Sequence, residues 1–216
     1  MTTLITGANR GIGKALFDGY TARGETTFGT HRAAEDGAML QLDVTDAESQ
    51  CDLATRMKGQ VVDLLICNAG VNFDKGQKLE SGYPSAMWEA TFAVNVTGVF
   101  MTIQSMLSNL RLSKAPKSAI IGSQAGSQTR ARGGSYTYCA SKAAVLNLGR
   151  NLSVELAPEG FAIGVYHPGW ARTDMGGDNA DLPLDESANG LMARFDALSA
   201  ETTGCFETWD GRAHPY

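Results

Sequence analysis

The chain has 216 residues, enough for one α/β domain with a well-covered core. It carries 18 basic and 23 acidic residues, a net charge of −5, and no basic run. This balance excludes a typical nucleic-acid-binding surface, so we expect no nucleic-acid partner. The 25 glycines are spread along the chain, which indicates tight turns rather than a low-complexity segment.

The cysteines and histidines indicate neither a disulfide framework nor a metal site. Cys51, Cys67, Cys139 and Cys205 are far apart and form no CxxC motif. We therefore expect reduced, mostly buried thiols in a cytoplasmic protein. The three histidines lack metal-ligand spacing, so no metal site is expected. We see no signal peptide and no apolar run of the roughly 18 residues that a membrane span needs, so no membrane association is expected.

Short apolar segments alternate with longer helical patterns along the chain. Strands are predicted at 3–6, 26–30, 39–42, 61–67, 118–122, 161–166 and 205–207. Helices are predicted at 12–23, 46–58, 85–110, 136–156 and 184–198. This alternation predicts an α/β fold: a Rossmann-type doubly wound parallel sheet of about seven strands with helices on both faces. No repeat or linker is visible, so residues 1–216 are expected to form a single domain.

Two connections between these elements are short. Only residues 31–38 remain between the second and third strands, whereas a crossover with a proper helix needs about 10–12 residues. We expect that helix to be absent or reduced to a turn. The segment 176–183 is also brief for a lid over a binding site.

The first predicted strand runs into a glycine-rich turn, TGANRGIG, which opens a helix. Its glycines have G-x-x-x-G-x-G spacing. Glycines let the backbone approach a pyrophosphate, and a helix N-terminus supplies free N–H groups and positive potential. The turn therefore predicts an NAD(P)-binding domain, with an ordinary strand-to-helix turn as the alternative. The candidate contacts are Gly7, Asn9, Arg10, Gly11, Ile12 and Gly13.

The end of the second strand bears on the choice of cofactor. An acid there would bind the ribose 2′-hydroxyl of NAD. This chain has His31 and Arg32 instead, and Arg10 lies inside the glycine turn. Two arginines without an acid favour the 2′-phosphate of NADP(H) over NAD(H). The alternative is that both are solvated surface arginines.

Tyr138 and Lys142 lie four residues apart in the string YCASK, which places them on one face of a helix. The pKa of a phenol is about 10, and a close, partly desolvated cation can lower it toward neutral pH. The pair therefore indicates proton transfer. A solvated surface pair is the alternative.

Together these motifs resemble the short-chain dehydrogenase/reductase family. The matching strings are TGANRGIG, LQLDV, CNAG, FAVNVTG, IIGSQAG, YCASK and HPGWARTDM, in the family's order between residues 6 and 175. The PGWARTDMGG string and the ending GCFETWDGRAHPY resemble C-factor-like or sniffer-like carbonyl reductases. The resemblance implies an NADP-dependent oxidoreductase that transfers a hydride between the cofactor and a small-molecule carbonyl or alcohol.

The resemblance also implies a catalytic tetrad. Tyr138 would be the acid/base, and Ser123 would hold the substrate oxygen. Lys142 would stabilise the tyrosinate and bond the nicotinamide ribose. Asn95 would kink its helix and hold a water that links the lysine to solvent. Further implied cofactor contacts are Asp43, Val44, Asn68, Ala69, Gly70, Pro168, Gly169, Trp170 and Thr173.

Several of these residues have competitors or other interpretations. Tyr136 lies off the helical face of the candidate lysine, so we expect it to be a pocket-lining or core aromatic. Ser127 competes with Ser123, which lies directly at a predicted strand end. Asn95 has the alternative of a capping or internally bonded asparagine in a long helix, and Asp43 that of a cap on the VTD turn.

The sequence departs from the family pattern around the substrate pocket. Extra residues fall in the loop 126–135, which is expected to line the pocket mouth. The short segments 31–38 and 176–183 predict a wide pocket. Trp170 and Met175 are candidate hydrophobic walls.

A second class of function uses the same fold. A cofactor-binding signalling or regulatory protein without significant turnover is the alternative, because a fold does not by itself determine activity. The intact tetrad argues against it. The frequency of closed symmetry among proteins predicts a homo-oligomer, a dimer or a tetramer.

Overall fold

Seven strands form one parallel sheet in the computed structural model, which describes residues 1–33, 37–131, 133–177 and 179–216. The strands are β1 (Thr2–Thr6), β2 (Thr26–His31), β3 (Met39–Gln41), β4 (Leu64–Cys67), β5 (Lys117–Ile121), β6 (Ala162–His167) and β7 (Phe206–Thr208). Their order is β3-β2-β1-β4-β5-β6-β7. Strands β2 and β3 are added on one side of β1, and β4 to β7 on the other. The order of the strands therefore reverses between β1 and β4, and sheets of this kind bind ligands at that position.

Helices cover both faces of this sheet. They are α1 (Gly11–Ala22), α2 (Ala47–Arg56), α3 (Ser85–Phe92), α4 (Gly98–Leu110), α5 (Tyr136–Leu156) and α6 (Leu184–Ala197). One buried cluster joins the sheet to α2, α4 and α5, and the other joins it to α1 and α6. Leu4 and Ile5, neighbours in β1, belong to different clusters because successive strand side chains point to opposite faces. The predicted doubly wound α/β fold is confirmed.

Most predicted elements match the structure to within two residues at each end, and two differ by more. The fourth strand begins at Leu64, not at residue 61. The predicted helix 85–110 is not uniformly α-helical, because a π-helical segment, Ala93–Thr97, separates α3 from α4. Such segments occur often at functional sites.

Parts of three predictions fall on residues outside the described ranges. In the connection between β2 and β3, residues 32–33 and 37–38 form turns, and residues 34–36 are not described. Residue 132 of the loop 126–135 and residue 178 of the segment 176–183 also lie outside the described part of the chain.

The helical stretch Ser85–Leu110 has the length and composition of a membrane span, with a mean hydropathy of 1.3 over 18 residues. It is not an uninterrupted apolar run, because polar residues such as Glu89, Asn95 and Gln104 lie within it. A core helix passes the same test, and α4 buries Val99, Ile103 and Met106 in the cluster against the sheet.

The four cysteines are free thiols, as expected. Cys67 is buried at the end of β4, whereas Cys51 is exposed and the other two are partly exposed. The expectation of mostly buried thiols is therefore wrong, because Cys51 lies on the solvent side of α2.

Gly13 should tolerate no side chain. A Cβ there would lie 2.2 Å from the Gly7 carbonyl oxygen and 2.4 Å from Nδ2 of Asn68. Gly13→Ala should lower the free energy of unfolding in urea by about 1–3 kcal/mol. Gly19→Ala, on the same helix, is the matched control, because its Cβ would meet only the flexible Met192 thioether, at 2.6 Å. Equal losses in the two variants would contradict this account.

Candidate active site

Helix α5 brings the predicted acid/base and its lysine together. Nζ of Lys142 lies 5.7 Å from the centroid of the Tyr138 ring. Nζ also donates a hydrogen bond of 2.8 Å to the carbonyl of Ile121, at the end of β5. Lys142 is only 7% exposed, and this burial lowers its pKa to about 8. The amine therefore titrates close to neutral pH.

Ser123 follows β5 and begins a short 3-10 turn, Gln124–Gly126. Its Oγ accepts a hydrogen bond of 3.1 Å from the N–H of Ala125. A Cβ at Gly126 would lie 2.5 Å from the backbone carbonyl of Lys142, so this turn lies directly on α5. The close approach holds Ser123 beside the helix that carries the tyrosine.

The two competing residues have other partners. Oγ of Ser127 lies 3.0 Å from Oγ1 of Thr129 and donates to the Tyr216 carbonyl at 3.3 Å. Tyr136 is 38% exposed, and its ring meets the Tyr83 ring edge-on, with centroids 5.1 Å apart. The interpretation of Tyr136 as a core aromatic is therefore wrong, because the residue is exposed. A role in lining the substrate pocket stays a prediction.

Asn95 lies within the π-helical segment and is 1% exposed. Its Oδ1 accepts from the N–H of Val71 at 2.8 Å, and its Nδ2 donates to the Val71 carbonyl at 2.9 Å. Nδ2 also donates to Oγ of Ser141 on α5, at 3.0 Å. The side chain is therefore internally bonded, as one interpretation expected, and its helix is distorted there. The water relay stays a prediction.

The glycine-rich turn has the backbone that its sequence predicts. Gly7 and Gly11 have φ angles of +67° and +53°, a region that side chains rarely adopt. Arg10 precedes α1 and makes no side-chain cap. The first N–H groups of α1 are therefore not capped by that side chain, and the turn fits a pyrophosphate.

The segment after β4 lies against this turn. Nδ2 of Asn68 donates to the carbonyl oxygens of Thr6 and Gly7, at 2.9 and 3.1 Å. The N–H groups of Asn68 and Ala69 both donate to Oγ1 of Thr6, at 3.0 Å each. These bonds join the ends of β1 and β4 where the strand order reverses. A Cβ at Gly70 would lie 3.8 Å from Nζ of Lys142.

The residues predicted to select the cofactor lie at the surface. Arg10 forms an exposed ion pair with Asp174, at 3.1 Å, and Arg32 is exposed after β2. Such a pair contributes about 0–1 kcal/mol, so Arg10 can change partner at little cost. Nδ1 of His31 accepts from the N–H of Ala33 at 3.3 Å.

Asp43 caps a turn, which was the alternative to an adenine contact. Its Oδ1 accepts from the hydroxyl and the N–H of Thr45, at 2.7 and 2.9 Å. These bonds lower the pKa of the Asp43 carboxyl. Val44 is buried against Gly98 of α4. Contact of either residue with adenine stays a prediction.

The segment after β6 returns to the glycine-rich turn. It begins at 168–169, where Gly169 has a φ of +79°. Nε1 of Trp170 donates to the Gly176 carbonyl at 2.9 Å. Cγ2 of Thr173 lies 3.5 Å from the position of a Cβ on Gly11, so the predicted cofactor contacts in 168–173 and the glycine-rich turn are adjacent.

A cavity of about 500 Å³ lies at the carboxyl ends of β6 and β7. Gln124, which follows Ser123, lines it together with Trp170, but Ser123, Tyr138 and Lys142 are not among its described lining residues. A role of Trp170 as a wall of the substrate pocket stays a prediction. Arg130 of the loop 126–135 also lines this cavity. Met175 is not among the described lining residues. The remaining wall includes His167, Trp209 and His214.

Sequence reasoning missed Asp74. This residue lies four positions after Gly70 in a loop, and its carboxylate accepts a hydrogen bond of 3.1 Å from the backbone N–H of Tyr138. A lone aspartate in a loop carries no sequence signal of a contact 64 residues away.

The sequence model of the family described as short chain dehydrogenase matches residues 1–182. The chain belongs to the short-chain dehydrogenase family. This family assignment was expected from the strings between residues 6 and 175, and it is confirmed.

Three relatives are similar to this short-chain dehydrogenase. The C-signal protein of Myxococcus xanthus is 36% identical over 171 residues, covering 76% of this chain and 98% of that protein. The structure of NADPH-bound carbonyl reductase from chicken fatty liver has a TM-score of 0.89 and 27% identity, covering 100% and 98% of the two chains. Carbonyl reductase Sniffer of D. melanogaster has a TM-score of 0.91 and 24% identity, covering 100% and 99%, and shares the fold. The expected likeness to C-factor-like or sniffer-like carbonyl reductases is confirmed.

The buried His167 side chain should lower the free energy of unfolding of this dehydrogenase in mild acid. Burial, with His214 and Arg130 nearby, lowers its pKa from 6.5 to about 4. Between these pH values the unfolded chain binds the proton and the folded chain does not. Stability is therefore lost as pH falls from 6.5 to 4, by up to about 3 kcal/mol. Urea unfolding at several pH values should show a shallower acid slope in His167→Gln, and identical slopes would contradict the prediction.

Proposed function

We propose that this short-chain dehydrogenase reduces a small carbonyl compound with NADPH, or oxidises the corresponding alcohol with NADP⁺. The observation that carries the proposal is the buried Lys142 ammonium beside the Tyr138 ring, with Ser123 held against the same helix. A phenol, a desolvated cation and a hydroxyl at one strand end form a proton-transfer site.

The described residues fit the cofactor. The positive φ angles of Gly7 and Gly11 let the backbone come close to a pyrophosphate, and the N-terminus of α1 supplies N–H groups. Arg10 and Arg32 supply positive charge for a 2′-phosphate, which supports NADP(H) over NAD(H). The carbonyl reductase from chicken fatty liver, 27% identical, binds NADPH. The cofactor contacts predicted from the sequence are proposed on the same basis.

When bound, NADPH supplies a hydride for the carbonyl carbon. Tyr138 donates its phenolic proton to the carbonyl oxygen as the alcohol forms. Lys142 stabilises the resulting tyrosinate by its charge, and one of its three N–H groups is already held by Ile121. Ser123 donates a hydrogen bond to the same substrate oxygen and keeps it beside the phenol.

The phenol then needs a new proton. The pKa of Lys142, lowered to about 8 by burial, allows the amine to pass one on near neutral pH. Asn95, fixed by Val71 and Ser141, shapes the distorted helix where a water can link this amine to solvent.

We further propose a cytoplasmic homo-oligomer, a dimer or a tetramer. Closed symmetric assembly is common. Phe100 on α4 is 40% exposed and Val154 on α5 is 76% exposed, which supports an interface on these helices.

Tyr138→Phe should abolish most turnover. Removing the phenolic proton donor should lower kcat for NADPH-dependent reduction of a panel of aldehydes and ketones about 10²- to 10⁴-fold. Tyr136→Phe is the matched control, because that ring lies at the surface against Tyr83. Wild-type turnover in Tyr138→Phe would overturn the proposed chemistry.

The same panel of aldehydes and ketones distinguishes a carbonyl-reducing enzyme from a regulatory protein with this fold. Reduction of at least one carbonyl, lost in Tyr138→Phe, supports the enzyme. Tight NADPH binding without oxidation across the panel would favour the regulatory alternative. No observation in the described residues favours that alternative.

Arg32→Ala should weaken the binding of NADPH but not that of NADH. Loss of a charge that faces the 2′-phosphate should raise KM for NADPH about tenfold, equivalent to about 1.4 kcal/mol, and leave KM for NADH unchanged. Arg111→Ala is the control, because Arg111 pairs with Glu159 at the surface. Equal changes for the two cofactors would show that Arg32 does not select between them.

A further inference from the structure

Asp74 is a buried carboxylate at the start of the helix that carries the catalytic pair. It is 0% exposed. Its Oδ2 accepts hydrogen bonds from the N–H and the hydroxyl of Thr137, each at 2.8 Å, and from the N–H of Tyr138 at 3.1 Å. One carboxylate oxygen therefore holds the first turn of α5, including the backbone of the proposed acid/base.

A local cap could satisfy these N–H groups without Asp74. Ser135 occupies the N-cap position of α5, and serine is among the residues that cap helices best. Its side chain makes no cap bond, and its backbone has a left-handed φ of +47°. The helix start is instead bonded to a residue 63 positions earlier in the chain.

Burial of the Asp74 carboxylate at this position is energetically unfavourable. Its second oxygen, Oδ1, is buried and has no hydrogen-bond partner among the described residues. Burying a charged group with one unpaired oxygen is unfavourable, although three donors and the positive end of the helix offset this on the other oxygen. A cap alone does not explain why a distant carboxylate is used.

The loop that carries Asp74 is itself held at the cofactor side of the site. Val71 is bonded through both of its backbone groups to Asn95, at 2.8 and 2.9 Å. Gly70, one residue earlier, lies beside Nζ of Lys142. The loop 70–74 therefore joins the proposed nicotinamide side of the site to the backbone of Tyr138.

We propose that Asp74 is a positioning residue, which sets the place of the Tyr138 phenol relative to the substrate and the cofactor. This role rests on the proposed reductase function. Without the bond, the first turn of α5 is free to shift against the loop 70–74. A displacement of about 1 Å at a reacting group can lower turnover about 10²-fold.

The test separates positioning from helix stability with Asp46→Ala as the matched control. Asp46 caps α2 by accepting from the N–H groups of Glu48 and Ser49, at 3.3 and 3.1 Å. Asp46→Ala and Asp74→Ala should both lower Tm, because each removes an aspartate that caps a helix. Only Asp74→Ala should lower kcat, about 10- to 100-fold, with KM for NADPH within about twofold of wild type.

If Asp74→Ala fails to fold, Asp74→Asn tests whether Asp74 positions the Tyr138 phenol. Its amide oxygen still accepts from the helix start, but without the charge that strengthens these bonds. It should fold and lose about 3- to 10-fold in kcat, less than the alanine variant, again without a change in KM for NADPH. A kcat within twofold of wild type in every folded Asp74 variant would overturn the positioning role alone. Absence of carbonyl reduction by the wild type would overturn the proposed function, and this role with it.

Discussion

The buried ammonium of Lys142 is the constraint on which the arrangement of the site depends. A charge that is 7% exposed must find partners within the protein or lose its proton, and burial already lowers the pKa of this amine to about 8. The Ile121 carbonyl is one partner, and it is available because β5 ends there. The charge is therefore held where the parallel strands end, the edge at which such sheets bind ligands.

Polar side chains far apart in sequence join the loops at this edge. Asn68 bonds the end of β1, Asn95 bonds the loop after β4, and Asp74 bonds the start of α5. Each of these bonds involves backbone groups, which are present at every position whatever the neighbouring side chains. Buried hydrogen bonds therefore stabilise the arrangement of the site. Surface ion pairs, such as the exposed pair of Arg10 and Asp174, contribute little to it.

Much of the fold could be predicted from particular residues. Short apolar runs and helical patterns located all seven strands and the main helices, because parallel strands covered on both faces are apolar along their whole length. The spacing of Tyr138 and Lys142 predicted a shared helical face, and the structure has it. The resemblance implied a kink at Asn95, but its π-helical form and the start of β4 could not be predicted, because both depend on bonds to distant backbone. The contact of Tyr136 with Tyr83 could not be predicted either, because the two residues lie 53 positions apart in sequence.

By itself the sequence determined the order of strands and helices, the glycine turn and the residue types at the candidate site. Local sterics explain this, since Gly7 and Gly11 adopt φ angles that other residues avoid, and apolar periodicity needs no distant partner. Only the tertiary structure decided which of these residues meet. The packing of the Gln124–Gly126 turn on α5, the burial of Lys142 and the bond from Asp74 to Tyr138 join segments that pattern alone does not relate. Long-range contacts of this kind form because the parallel sheet brings the carboxyl ends of its strands to one edge.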